Sequence, residues 1–69
     1  MKKYVILIPV YNDRESLTKL IENINSEIEG INSEISIVVI NDASSHQIID
    51  NYQNTENINS IEIINMKEN

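Results

Sequence analysis

Tyr4-Val5-Ile6-Leu7-Ile8-Pro9-Val10-Tyr11-Asn12 and Ile35-Ser36-Ile37-Val38-Val39-Ile40-Asn41-Asp42-Ala43-Ser44-Ser45 are the two stretches that decide the fold. Each is a β-branched and aliphatic run that stops in a polar turn. Runs without polar alternation suit strands of a parallel sheet buried on both faces. Tyr4 to Ile8 therefore reads as strand one, bounded by Pro9, and Ile35 to Ile40 as strand two.

Between them, Leu17, Leu20, Ile21, Ile24, Ile28 and Ile31 recur at three- and four-residue steps, the period of an amphipathic helix. Lys19, Glu22, Asn23, Asn25 and Glu27 fill the opposite face. Asn12 followed by Glu15 forms a capping-box pattern, and Asp13 and Glu15 suit the positive end of the helix dipole. Gly30, the single glycine, stands where the chain leaves a helix through a left-handed residue. Strand, helix, strand is a βαβ unit. A shorter helix is expected from about His46 to Tyr52, with Ile48, Ile49 and Tyr52 inward, then a polar loop from Gln53 to Asn59, the stretch from Asn51 to Asn59 being polar enough to be mobile. Ser60 to Ile64 completes a parallel βαβαβ unit as a third strand, more exposed because Glu62 interrupts it. The fold class is α/β.

Composition narrows the function. The 69 residues make one small domain, and with no cysteine neither a disulfide nor a thiolate metal site can staple it. Eleven acidic residues against five basic ones give a net charge of −6, which cannot gather nucleic-acid phosphates. Lys2 and Lys3 before an apolar run imitate a signal peptide. The run is too short to span a bilayer and has no cleavage site, so the chain reads as cytoplasmic without a transmembrane segment. The abundance of isoleucine and asparagine reads as a base-composition bias rather than a functional mark.

Crossovers of one hand put both helices on one face of the sheet. A second buried face then needs cover that these residues do not supply, which argues for a truncated domain or for a partner chain.

Ligands of open parallel sheets bind beyond the carboxyl ends of the strands, where helix N-termini point their N–H groups outward. The turns after strands one and two share that edge. Together they offer an aromatic plate, a carboxylate, amides and hydroxyls, a set suited to a base and ribose. No glycine-rich phosphate loop is present, which excludes a dinucleotide or P-loop reading.

An apolar strand ending in Pro9-Val10-Tyr11-Asn12, an amphipathic helix, and a second apolar strand ending in Asn41-Asp42-Ala43-Ser44-Ser45 resemble the opening of family 2 glycosyltransferases over roughly the first fifty residues. The resemblance implies that residues 1–69 are the N-terminal part of a GT-A domain, a Rossmann-like half that binds a nucleotide sugar. It implies that Tyr11 stacks on the base, Pro9 and Val10 line the pocket, and Asp42 accepts a hydrogen bond from the base. A UDP-linked donor is the commonest implication, and a GDP-linked one fits a further likeness of Tyr11 to Leu17 to polyprenol-phosphate glycosyltransferases, in which Glu15 matches an acidic position. Ala43 and His46 depart from the glycine and acid common in the family, and His46 reads as a solvated first-turn residue.

The resemblance further implies an inverting sugar transfer by a longer parent, which would hold a divalent metal, Mg or Mn, through a later acidic motif and could lie peripheral to the inner membrane face. No catalytic or metal-binding residue is assigned among the 69, so the isolated chain is expected to be inactive. The competing readings are a non-catalytic α/β remnant or interaction module that pairs with a partner, and a receiver-like domain. The last is disfavoured by Pro9 and Tyr11 where an acidic cluster should stand.

Overall fold

The computed structural model describes residues 1–11, 13–42, 52 and 54–66, with the side chain of Asp42 outside the description. Strand Lys2–Val10 (β1) leads to helix Arg14–Glu27 (α1), strand Ser33–Asp42 (β2) and strand Ser60–Met66 (β3). The three strands form a parallel sheet in the order β1-β2-β3. This is the expected α/β arrangement. The helix expected from His46 falls outside the described residues except for Tyr52, which packs against the core as anticipated.

Each strand is longer than its apolar run, because ladder bonding continues into the polar flanks. Pro9 lies inside β1 rather than ending it, paired in register with Ile40. A proline cannot donate to a ladder, and β1 is an outer strand of the described sheet, where that loss is tolerated.

The core lies on one face. Ile8 and Val10 of β1, Ile37 and Val39 of β2, Leu17 and Ile21 of α1, and Ile58 from the β2–β3 connection pack together, with Ile6, Ile24, Ile28, Ile61 and Ile63 around them. Because α1 and Ile58 meet in a single cluster, both connections draw on the same side of the sheet. The opposite face carries Val5 and Leu7, 60% and 63% exposed, beside half-buried Val38 and Ile40 and exposed Ile64 and Met66. Strands one and two are thus buried on one face, not on both as their composition suggested. The second face keeps the apolar residues of a covered sheet with no cover among the described residues.

The helix differs from its sequence reading at both ends. Its N-cap is Asp13, whose Oδ1 accepts the Ser16 backbone N–H at 3.2 Å, and not Asn12, which lies outside the described residues. Its last residue is Glu27, and the turn that follows holds Gly30 at φ +82°, with the Ile31 N–H donating to the Ile28 carbonyl at 3.0 Å. The glycine is left-handed as expected, but it serves the turn after the helix. Ile31 consequently lies beyond α1 and is exposed.

Asn25, assigned from sequence to the solvent face, is only 4% exposed. At ~100° per residue Asn25 and Leu20 stand equally far, roughly 70°, from the midline of the Leu17, Ile21, Ile24 and Ile28 stripe but on opposite sides of it, and only the side that meets Asn57 is buried. Burying a carboxamide costs free energy unless it is bonded. Its Oδ1 accepts the Asn57 backbone N–H at 2.7 Å, while Asn57 Nδ2 donates to the Asn25 carbonyl at 2.9 Å. That carbonyl is in the last helical turn, where intrahelical donors run out. The described part of the loop expected to be mobile is therefore fastened. Thr55 to Ile58 form a hydrogen-bonded turn, and the Asn59 N–H donates to the Ile35 carbonyl at 2.7 Å.

Candidate nucleotide site at the carboxyl edge

Parallel pairing brings the two sequence-predicted turns to one edge. Val10 stands opposite Asn41, so Tyr11 leaves β1 beside the position where Asp42 ends β2. Asp42 is itself in the ladder, paired with Met66 of β3. Ala43, Ser44, Ser45 and His46 lie outside the described residues.

The predicted pocket residues divide by burial. Val10 is part of the core, Pro9 is exposed, and Tyr11 is 66% exposed. An aromatic ring held at a strand end with most of its surface in water gains little from packing and is available to a flat ligand.

Beside it lies a cavity of about 300 Å³ lined by Ile8, Pro9, Val10, Tyr11, Asp13, Ser16, Leu17 and Leu20. The buried members, Ile8, Val10 and Leu17, give it an apolar base. The exposed members place a ring, a carboxylate and a hydroxyl around the rim. Asp13, Ser16, Leu17 and Leu20 were read from the sequence only as helix residues. The signal that could have found them is their position in the first two turns of a helix that starts where strand one ends. Asp13 is engaged by the Ser16 N–H, so the carboxylate both caps the helix and edges the cavity.

Among the described lining residues the only charged one is Asp13, an anion. A diphosphate would meet no cation among them, whereas a base or ribose, with N–H and O–H donors, meets an acceptor. Among the described residues no three side chains of the metal-ligating types gather, and no helix is long and apolar enough to cross a membrane.

At the last rungs of the sheet Asn41, 3% exposed, donates through Nδ2 to Asn65 Oδ1 at 2.7 Å. Sequence reasoning saw Asn41 as a turn residue and did not see Asn65, because their pairing depends on the β2–β3 register.

The chain matches no curated protein and no solved structure. The sequence profile of the family described as Glycosyl transferase family 2 matches residues 5–69, from the first strand through the third, and with the parallel strand order and the paired turns it establishes that this chain belongs to glycosyl transferase family 2.

Proposed function

We propose that the chain is the donor-recognition front end of an inverting glycosyltransferase that moves a sugar from a UDP- or GDP-linked donor to an acceptor hydroxyl or phosphate. The observation that carries the reading is the register of Val10 with Asn41, which brings Tyr11, just past the end of β1 and lining the cavity, level with Asp42 at the end of β2. In this reading Tyr11 stacks on the base, Pro9 and Val10 shape the pocket, and Asp42 accepts an N–H of the base. A carboxylate acceptor facing a base donor is a charge-assisted bond, the stronger kind.

Transfer with inversion also needs a general base on the acceptor and positive charge on the leaving diphosphate. The divalent Mg or Mn that the family implies does not fit the described residues, which bring no three ligating side chains together. The part proposed for this chain is recognition, and the remainder of a glycosyltransferase domain or a partner chain would cover the open sheet face.

The test is NMR titration of the 69-residue chain with UDP and with GDP. Shifts centred on Tyr11 and the end of β2 are expected, and Tyr11→Ala should weaken binding by about 1–3 kcal/mol, the usual worth of a base stacked on an aromatic ring. Shifts that spare Tyr11, or an affinity indifferent to its removal, would sink the proposal.

A second reading has its own observation. Val5 and Leu7 expose apolar surface on the same open face as Ile64 and Met66, as in a module that pairs with a partner without catalysis. Absence of any nucleotide binding would favour it.

A further inference from the structure

We infer that Asn65 is a positioning residue of the donor site, acting through Asn41; this rests on the donor-recognition reading above. The helix-side rungs shared by β2 and β3 run Ile37 with Ile61, Val39 with Ile63, then Asn41 with Asn65. The first two are aliphatic. A third aliphatic rung would continue the core, yet here a buried Asn41 bonds to an Asn65 that is exposed on the outer strand. The change to two carboxamides falls at the rung where the predicted binding turns begin.

What the pair does follows from its place. Asn41 stands between Val10 on one side and Asn65 on the other, immediately before Asp42 on β2 and level with the residue before Tyr11 on β1. The 2.7 Å bond from Asn41 Nδ2 to Asn65 Oδ1 fixes the Asn41 side chain, and with it the backbone from which Asp42 continues. A buried carboxamide with a set partner has one satisfied orientation, whereas an aliphatic side chain would not select one. Strand β3 thereby helps to place the end of β2, from which Asp42 continues, without touching the donor.

The experiment compares the native 69-residue chain with Asn65→Leu and Asn65→Asp, reading thermal unfolding and NMR titration with UDP and GDP. Asn65→Leu takes the acceptor from the buried Asn41 Nδ2 and should lower the melting midpoint by several degrees while staying folded, and should bind the preferred nucleotide roughly three- to tenfold more weakly, the factor that corresponds to one net hydrogen bond. Asn65→Asp keeps an acceptor oxygen for Asn41 Nδ2 and should restore affinity. Undiminished affinity in Asn65→Leu overturns the inference and leaves the site standing. A native chain that binds neither nucleotide overturns both. If Asn65→Leu does not fold, Asn65→Asp decides, and a folded Asn65→Asp with the weakened affinity counts against the role.

Discussion

Removing either side of the Asn25–Asn57 pair should loosen the β2–β3 connection by an amount that a double-mutant cycle can resolve. Asn25→Ala deletes the Oδ1 that accepts the Asn57 N–H at 2.7 Å, and Asn57→Ala deletes the Nδ2 that donates to the Asn25 carbonyl at 2.9 Å. One such bond contributes about 1 kcal/mol net. Asn25 is also nearly fully buried, so its truncation leaves a small void, and about 1–2 kcal/mol is expected for Asn25→Ala against about 1 kcal/mol for Asn57→Ala. In a domain of this size each kcal/mol lowers the melting midpoint by roughly 4–8 °C. Both bonds hold the same turn, so the first loss should relax it and reduce the cost of the second. The double variant should fall short of the sum by about 0.5 kcal/mol or more. Urea unfolding followed by circular dichroism measures all four chains. Single variants within about 0.3 kcal/mol of native would refute the latch, and strict additivity would show that the two bonds act separately.

Two further substitutions test the turn and the open face. Gly30→Ala meets no atom within 4 Å of its added Cβ, so its cost should come from backbone strain at φ +82° alone, about 1–2 kcal/mol by chemical denaturation. A neutral result would mean that the turn does not require the left-handed residue. Leu7→Lys replaces a side chain 63% exposed on the open face and should change monomer stability by less than about 0.5 kcal/mol while lowering self-association in sedimentation. A loss well above 1 kcal/mol would show that the face is covered in solution.

The topology was legible because the signals for it are local. Continuous aliphatic runs marked the first two strands, a run interrupted by Glu62 marked the third, and the three- and four-residue steps from Leu17 to Ile28 marked the helix. What could not be read was which face each apolar residue would find. Val5 and Leu7 belong to the same run as Ile8 and have the same character, yet only Ile8 is buried, because burial depends on the layer that a strand meets and not on its own composition. The helix cap was misplaced by one residue for a related reason: Asn12 and Asp13 are both good caps, and the choice is settled by where β1 releases the chain. Of the site, the juxtaposition of the turn at Tyr11 with the turn at Asp42 was legible, since parallel register follows from the βαβ unit. The wall made by Ser16, Leu17 and Leu20 was not, since it depends on how α1 leans over the end of β1.

Asparagine gives the clearest case of a sequence signal with more content than its frequency suggested. Its abundance invites a compositional explanation, yet four of these residues form two amide pairs on the core side of β2. Asn25 with Asn57 ties the end of α1 to the loop entering β3, and Asn41 with Asn65 ties the far end of β2 to β3. Between them the same face is aliphatic, and aliphatic contacts alone tolerate sliding. A parallel strand displaced by one residue would turn its whole apolar set to the open face, and in β3 would carry Glu62 to the core side, which already opposes the slip. The Asn41–Asn65 bond joins residues of one rung and adds a directional contact that a shift of a single residue breaks, while Asn25–Asn57 ties the loop before β3 to α1. In a domain with a thin core and no cysteine, register is the property most exposed to error, and the Asn41–Asn65 bond secures that of β3 against β2 at the carboxyl edge.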